Sequence, residues 1–214
     1  MSATVMLAGA SGLVGGSVLK RLLDAGKRVL APARRALGIS AVGLTELSLD
    51  PDHTQLPHLD AFMCCLGTTL AKAGSREAFL AVDHDLVIRL AKTARAAGCR
   101  HALLISSVGA DPRSGNFYLK SKGQVEDALA QMGFSRLDIL QPGLLLGDRN
   151  EPRRGEAIAQ KLAPFYNPLL RLGLKRYRAI SAGAVADAMV ALLNARDAGV
   201  FRHTYSSLIQ LSHD

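Results

Sequence analysis

The sequence predicts an α/β fold in which helices cover both faces of a doubly wound parallel sheet. Short apolar segments alternate with amphipathic ones from the first residues onward, which is typical of strands buried between two layers of helices. A glycine-rich turn directly follows the first apolar segment. The chain has 214 residues, which suits a single domain over 1–214. Together these observations predict the Rossmann fold.

The predicted elements follow one another in a regular order. The strand-like segments are ATVMLAG, KRVLAPA, GLTELSL, DAFMCCLG, RHALLISS, SRLDILQP and finally VFRHTYSS. Helices are predicted for GLVGGSVLKRLLDAG, for a long segment from Ser75 to Ala97, for NFYLKSKGQVEDALAQMG and for SAGAVADAMVALLN. Ser75 suits the N-cap of the long helix, and Gly98 suits its end.

The segment 142–178 departs from this regular pattern. It is rich in Pro, Gly and Arg, and only GEAIAQKLAPF within it reads as a short helix. Irregular segments of an otherwise regular α/β chain commonly carry function. We therefore expect this segment to form the substrate side of a site.

Composition argues against several classes of protein. Hydrophobic residues make up 49% and charged residues 21% of the chain, which is ordinary for a globular protein and argues against long disorder. The first residues lack the basic start of a signal peptide, and no apolar run approaches the ~20 residues of a membrane span. We therefore expect a cytoplasmic location and no stable insertion into a membrane.

The three cysteines do not suggest a metal site or a disulfide framework. Cys64, Cys65 and Cys99 have no metal-ligand spacing, and their number is odd. We interpret them as buried, reduced thiols, with a thiol that lines a cofactor cleft as the alternative. His84 and His101 are interpreted as solvated or structural residues, so no metal site is expected.

The net charge of +8 is concentrated between residues 149 and 178. A basic patch can attract nucleic acid, an anionic membrane surface or an anionic substrate, and a solvated basic face is the simplest interpretation. The sequence contains no known nucleic-acid-binding motif, so we expect no nucleic-acid partner. The segment FYNPLLRLGLKRYR combines apolar and basic residues, but Pro164 directly before it and Pro168 within it would interrupt an interfacial helix.

The first turn has the glycine spacing of a dinucleotide-binding loop. Gly9, Gly12 and Gly15 lie between the first strand and the first helix, with Ser11 and Leu13 among them. Such glycines permit a sharp turn, a close approach of the backbone to a pyrophosphate, and tight packing of helix on strand. The N-terminus of the helix adds free N–H groups and a partial positive charge for the phosphates. A purely structural glycine turn is the alternative.

The residues after the second strand favour NADP(H) over NAD(H). An NAD site usually carries an acidic residue here, but this chain has Arg34 and Arg35. The planar guanidinium group suits a 2′-phosphate because it can bond two oxygens. An exposed arginine pair without a ligand is the alternative. Asp50 is expected near the adenine, or else it is only a turn carboxylate before Pro51.

Tyr118 and Lys122 are four residues apart in a predicted helix and therefore share one face of it. A free tyrosine has a pKa near ~10 and is a poor acid–base catalyst at neutral pH, but a nearby ammonium group favours the phenolate. The pair is either catalytic, a cofactor-holding pair without turnover, or two amphipathic side chains on a wet surface.

With the segments GASGLVG, CLGTTLAKAG, SSVGAD, YLKSKGQVE and QPGLLLGDR, the chain resembles the short-chain dehydrogenase/reductases, and most closely their atypical branch of Tat-interacting-protein oxidoreductases. The resemblance implies that Tyr118 gives or takes a proton and that Lys122 binds the nicotinamide ribose. It implies that Ser107, with Ser106 in reserve, orients the substrate oxygen. Residues Leu66, Gly67 and Thr68 would pass along the cofactor.

Two residues depart from the family pattern. Asp83 stands where the superfamily has a catalytic asparagine, which puts the usual proton relay in doubt, and Gln141 replaces an arginine. The leading hypothesis is an NADP(H)-dependent oxidoreductase, a monomer or a homodimer, that acts on a small carbonyl or alcohol. The alternative is an NADPH-binding regulatory or redox-sensing protein with little turnover.

Overall fold

The computed structural model describes residues 2–50, 55–147 and 175–213. Within them, seven parallel strands form one sheet in the order β3-β2-β1-β4-β5-β6-β9. These strands are β1 Thr4–Ala8, β2 Arg28–Pro32, β3 Leu44–Leu47, β4 Ala61–Cys64, β5 His101–Ile105, β6 Arg136–Leu140 and β9 Gly199–His203. A separate parallel pair joins β7, Leu145–Leu146, to β8, Ile180–Ser181. The prediction of a doubly wound parallel sheet with the Rossmann topology is confirmed.

The helices of the described residues cover both faces of this sheet. They are α1 Leu13–Asp24, α2 Leu70–Ala73, α3 Arg76–Leu80, α4 Leu86–Ala96, α5 Phe117–Ala130, α6 Ala182–Ala191 and α7 Tyr205–Leu211. One core cluster packs α1 and α6 against Val5 and Leu7 of β1, and the other packs α4 and α5 against Met6 and Ala8 of the same strand. Since both faces of the strands are buried, their sequences are almost continuously apolar.

The long helix predicted from Ser75 to Ala97 is divided in the structure. Ser75 caps α3 as predicted, since its hydroxyl accepts a hydrogen bond of 3.1 Å from the amide of Ala78. A π-helical turn, Ala81–Asp85, then joins α3 to α4. Such a turn inserts about one residue into a helix and barely disturbs the apolar periodicity, so the sequence pattern does not reveal it.

The last predicted strand is shorter than expected. β9 ends at His203, and Tyr205 begins α7. The hydroxyl of Ser207 donates to the carbonyl of Thr204 at 2.9 Å, which favours the helical turn at this point. The helix predicted over 155–165 lies outside the described residues. No helix in the part of the chain that the structure describes is long and apolar enough to cross a membrane.

A buried carboxylate joins the strands β5, β6 and β9. Asp138 accepts two hydrogen bonds from Arg136, at 2.6 and 2.8 Å, and lies 2.8 Å from Nε2 of both His101 and His203. Burial opposes the charged form, but the hydrogen bonds from these three cationic or polar partners hold the pKa of Asp138 well below its usual range. Among the described residues, no group of His, Cys, Asp and Glu is arranged to hold a metal ion.

Candidate functional site

The glycine turn between β1 and α1 has no room for side chains at two positions. Gly9 has a φ of +85°, which favours glycine, and a Cβ atom there would lie 2.7 Å from the carbonyl oxygen of Cys65. A Cβ atom on Gly15 would overlap the carbonyl oxygen of Gly9. The turn therefore presents bare backbone at the carboxyl edge of the sheet.

The helix that follows this turn begins with free hydrogen-bond donors. Gly12 is the N-cap of α1, so no side chain caps the helix, and no acidic residue lies in its first turn. Ser11 is exposed beside it, and Leu13 is half-buried. The unoccupied N–H groups and the positive end of the helix dipole fit the pyrophosphate of a dinucleotide.

Arg34 and Arg35 follow the carboxyl end of β2, and both are exposed. The nearby carboxylate of Glu46 is engaged elsewhere, because it accepts hydrogen bonds of 3.1 and 3.2 Å from the amide of Leu37. The two guanidinium groups are therefore accessible at the edge where the second strand ends. Asp50 lies 3.6 Å from Nε of Arg89, so its exposed carboxylate already has a partner on α4.

The loop after β4 is tied to the π-helical turn. Leu66 and Thr68 are partly buried, and Gly67 between them is exposed. The amide of Thr68 donates a hydrogen bond of 2.6 Å to Oδ2 of Asp83. This bond fixes the loop on the side of the sheet that α5 covers.

Tyr118 and Lys122 lie on the same face of α5, as their spacing predicts. The helix is capped by Asn116, whose side chain accepts a hydrogen bond from the amide of Leu119 at 3.1 Å. The ammonium nitrogen of Lys122 lies 5.9 Å from the centroid of the Tyr118 ring. The arrangement excludes two side chains on a wet surface, because Lys122 is only 5% exposed.

Asp83 is the partner of Lys122. Its Oδ1 atom lies 2.8 Å from the ammonium nitrogen, and the carboxylate is fully buried. The contact is an ion pair and does not have the alignment of a hydrogen bond, which leaves Oδ1 without a hydrogen-bond donor among the described residues. Burial favours the neutral amine, but the charges of Asp83 and Tyr118 outweigh it, so the pKa of Lys122 is raised above its ordinary 10.5.

Phe79 packs against the tyrosine, and this contact was not predicted from the sequence. This side chain of α3 is fully buried, and its ring meets the ring of Tyr118 edge-on at a centroid distance of 6.0 Å. The centroid of the Phe117 ring lies 5.6 Å from that of the Phe79 ring. Phe79 therefore restricts the position of the phenol. In the sequence, Phe79 appears only as one apolar residue of a predicted helix.

The two serines after β5 have different surroundings. Ser106 is buried, and its hydroxyl donates a hydrogen bond of 2.5 Å to Oε1 of Glu126. The same carboxylate accepts bonds from Gln141 at 2.8 Å and from Arg202 at 3.2 Å. Ser107 is half-buried, and its hydroxyl makes only a long contact of 3.5 Å with the carbonyl of Val108. Ser107 is thus the serine with a hydroxyl available to a ligand.

The cysteines are poorly placed for chemistry. Burial raises the pKa of the Cys64 thiol to about 11 and also raises that of Cys65. The sulfur of Cys65 lies 3.6 Å from the sulfur of Met189, inside the core cluster of α1 and α6. The cleft-lining thiol considered in the sequence analysis is not supported.

The structure places most of the predicted residues along one edge. The glycine turn, the arginine pair, the loop after β4 and the serines all follow the carboxyl ends of parallel strands, where ligands of this fold bind. Lys122 of α5 is connected to the loop after β4 through Asp83. The bare backbone of the turn and the uncapped N–H groups at the start of α1 are the features of this edge that a dinucleotide fits.

Comparison with known families and sequences agrees with this geometry. A family model described as NAD(P)H-binding matches residues 9–196. The rat protein HTATIP2 is 38% identical over 168 residues, which cover 74% of this chain and 69% of the relative. A protein from Emericella nidulans named "Protein fmp52, mitochondrial" is 39% identical over 176 residues, or 75% of each chain.

Solved structures share the fold at low sequence identity. The UDP-glucose 4-epimerase of Thermus thermophilus in complex with NAD superposes with a TM-score of 0.70 at 17% identity, over 98% of this chain and 82% of its own. The human epimerase family protein SDR39U1 with NADPH gives 0.61 at 18% identity, over 94% and 74%. At such identities the likeness establishes the fold alone.

The relatives correct one expectation from the sequence. The predicted cytoplasmic location is contradicted, because several fungal relatives are named mitochondrial. The expectation rested on the lack of a signal-peptide pattern and of a long apolar run. Neither of those two absences indicates in which compartment a protein lies.

Proposed function

We propose that this chain is an NADP(H)-dependent oxidoreductase acting on a small carbonyl or alcohol. The proposal starts from its family, because the chain belongs to the NAD(P)H-binding family and to its atypical short-chain dehydrogenase/reductase branch. The observation that carries the proposal is the pair on α5. A phenol lies beside a buried ammonium group that is kept charged by Asp83, at the edge that also holds the glycine turn.

In this proposal the chain binds the dinucleotide with backbone and positive charge. The bare turn at Gly9 and Gly15 and the first N–H groups of α1 hold the pyrophosphate. Leu66, Gly67 and Thr68 line the middle of the cofactor, and Lys122 donates to the nicotinamide ribose. The nicotinamide, when bound, supplies or accepts the hydride.

The proton of the reaction is assigned to Tyr118. During reduction its hydroxyl gives a proton to the carbonyl oxygen, and during oxidation the phenolate takes the proton of the alcohol. Ser107 donates a hydrogen bond to the substrate oxygen and orients it. Ser106 is not assigned a role, since Glu126 occupies its hydroxyl.

The preference for NADP(H) over NAD(H) is part of the proposal. Arg34 and Arg35 are accessible after β2, and no carboxylate stands free in their loop to accept a ribose 2′-hydroxyl. We further propose that 1–214 is one domain, that 142–178 forms its substrate side, and that the chain is a monomer or a homodimer.

A regulatory NADPH-binding protein with little turnover is the second candidate, and the carboxylate of Asp83 favours it. A negative charge 2.8 Å from the ammonium group offsets part of the field that Lys122 exerts on the phenol. Such a site would still hold the cofactor but would activate the tyrosine less.

Two measurements in sequence test the proposal. Thermal unfolding is followed with NADPH, NADP, NADH and NAD, and selective stabilisation by the phosphorylated forms is expected. Consumption of NADPH is then measured with aldehydes, ketones and quinones. Turnover that disappears in Tyr118→Phe supports the oxidoreductase. Tight NADPH binding without turnover of any compound supports the regulatory protein, and the absence of any nucleotide binding contradicts both.

A further inference from the structure

Three cations lie close together where the described chain resumes after residue 174. Lys175, Arg176 and Tyr177 form a 3₁₀ turn, and Arg178 follows it. We refer to these four residues as the basic turn. Lys175 and Arg176 are exposed, and none of the three cations has an acidic partner among residues 2–50, 55–147 and 175–213.

The basic turn packs against the segment that leaves β6. A Cβ atom on Gly143 would lie 2.7 Å from the carbonyl oxygen of Arg178 and 2.8 Å from that of Tyr177. Two residues further on, the amide of Ile180 donates to the carbonyl of Leu144 at 2.9 Å. Only a glycine at position 143 allows the two backbones to approach this closely.

The same segment also contacts the loop that carries the available serine. The carbonyl of Pro142 accepts a hydrogen bond of 3.1 Å from the amide of Val108, the residue after Ser107. On its other side, a Cβ atom on Gly147 would meet Leu13 of the glycine turn at 3.0 Å. The basic turn is therefore fixed at the carboxyl edge. Only the segment of Pro142 and Gly143 lies between it and the loop of Ser107.

Arg178 is held in place but is not neutralised. Its guanidinium carbon lies 4.6 Å from the centroid of the Tyr205 ring, at the start of α7. Its Nε atom is buried and has no hydrogen-bond partner among the described residues. A buried charged donor without an acceptor is unfavourable, so the guanidinium group gains from an acceptor that its terminal nitrogens can bond.

We propose that the basic turn binds an anionic group, a carboxylate or a phosphate, on the substrate of the proposed oxidoreductase. Arg178 supplies the planar donor, because its stacked guanidinium group can bond two oxygens of such a group. Lys175 and Arg176 add positive charge at the entrance. The statement that the ligand is a substrate rests on the proposed function. The existence of the anion site does not depend on it.

Binding of simple anions tests the site without any turnover. The chain is saturated with NADP, so that the cofactor occupies its own phosphate sites, and is titrated calorimetrically with inorganic phosphate and separately with acetate. Arg178→Gln is expected to weaken binding by about tenfold or more, as for the loss of a hydrogen bond to a charged group. The double variant Lys175→Gln/Arg176→Gln changes exposed residues only and is expected to weaken it roughly twofold to fivefold.

Arg196→Gln is the matched control. Arg196 is exposed and precedes the amino end of β9, at the opposite edge of the sheet. The Arg196→Gln variant is expected to bind both anions as tightly as the unsubstituted chain does. All variants are expected to keep the thermal shift caused by NADPH. The site is refuted if the unsubstituted chain shows no saturable anion binding, or if Arg178→Gln binds as tightly as Arg196→Gln.

Paired aldehydes test the link to the substrate and separate the two anions. Succinic semialdehyde is compared with butanal, and glyceraldehyde 3-phosphate with glyceraldehyde, by kcat/KM with NADPH. We expect one charged member to exceed its neutral partner by at least about tenfold, and Arg178→Gln to remove most of that difference. Equal values within both pairs contradict the substrate assignment. Anion binding that depends on Arg178, without turnover of any aldehyde, supports the site and counts against the oxidoreductase.

Discussion

The ammonium nitrogen of Lys122 lies 2.8 Å from Oδ1 of Asp83, and both side chains are buried. This ion pair connects α5 to the π-helical turn. Through the second oxygen of Asp83 it also reaches the amide of Thr68, in the loop after β4. One carboxylate thus holds together the lysine and the loop that are both proposed to contact the cofactor.

Replacement of Asp83 is expected to destabilise the fold. Asp83→Ala leaves a buried, unpaired ammonium group, which costs about 3–5 kcal/mol in the free energy of unfolding. The exposed neighbour Asp85 provides the control, since Asp85→Ala should change this free energy by less than about 0.5 kcal/mol. Urea unfolding at pH 7 measures both. Equal stability of the two variants contradicts a structural role of the ion pair.

The raised pKa of Lys122 determines the pH range in which its ion pair with Asp83 stabilises the fold. The stabilisation is fully present below the ordinary lysine value of 10.5 and is lost as the pH rises through the higher value of the folded state. In the unsubstituted chain, the contribution of this ion pair to the free energy of unfolding should therefore stay constant from pH 6 to 9, as followed by urea unfolding.

Removal of the Tyr118 hydroxyl is expected to abolish turnover without loss of the cofactor. Tyr118→Phe keeps the ring contact with Phe79 but removes the proposed acid–base group, so kcat should fall by about 10²–10⁴. Thr93→Val removes a hydroxyl that bonds only its own helix, at the carbonyl of Arg89, and should retain full activity. The rate of NADPH oxidation with an identified substrate measures this effect. An unchanged kcat in Tyr118→Phe refutes the assignment of Tyr118 as the acid–base group.

Two neighbouring glycines of α1 should respond in opposite ways to the same substitution. Gly15→Ala places a methyl group on the carbonyl oxygen of Gly9, so we expect a loss of about 1–3 kcal/mol and at least about tenfold weaker NADPH binding. Gly16→Ala meets only the carbonyl oxygen of Ala10, at 3.5 Å, and should stabilise the helix by about 0.5–1 kcal/mol. Unfolding and fluorescence titration of both variants test this, and cofactor binding by Gly15→Ala that equals that of Gly16→Ala contradicts it.

The arginine pair is expected to set the preference for the phosphorylated cofactor. Arg34→Gln/Arg35→Gln should weaken NADPH binding by about 10- to 100-fold and leave NADH binding unchanged. Arg28→Gln, at the exposed amino end of the same strand, removes a similar charge far from the ligand edge. Dissociation constants for both nucleotides provide the measurement. A parallel loss of NADH binding would assign the pair a general electrostatic role.

Asp138 should make the stability of the protein sensitive to acid. Its pKa is lowered in the folded state, so its contribution is present above the ordinary value of 3.8 and is lost as the pH falls towards the folded value. Asp138→Asn should lower the free energy of unfolding by about 3 kcal/mol at pH 7, and this deficit should shrink below pH 4. Urea unfolding at pH 7, 5 and 3 measures the deficit, and a deficit that does not depend on pH contradicts the linkage.

Much of the fold could be predicted because local patterns encode it. The alternation of buried strands and amphipathic helices, and the capping residue Ser75, are read directly from neighbouring residues. The π-helical turn and the early end of β9 were missed, since both depend on backbone hydrogen bonds that leave the apolar pattern nearly unchanged.

The contacts that define the site were harder to predict, because they join residues distant in the sequence. Asp83 was noticed as a departure from the family, but its contact with Lys122 depends on how the π-helical turn faces α5. Likewise, the two serines after β5 look equivalent in the sequence, and only the position of Glu126 distinguishes them. The cluster around Asp138 involves three strands, so its members have no recognisable spacing.

We propose that a nicotinamide bound by the glycine turn lies beside the phenol of Tyr118, and a crystal structure of the chain with NADP would reveal its position. We expect the pyrophosphate against the N-terminus of α1 and the ribose within hydrogen-bond distance of Lys122. We also expect the reactive face of the ring to be close enough that one substrate atom reaches both it and the phenol, about 3–3.5 Å from each. If the nicotinamide ring lies out of reach of Tyr118, or if the turn binds no nucleotide, the proposed function is wrong.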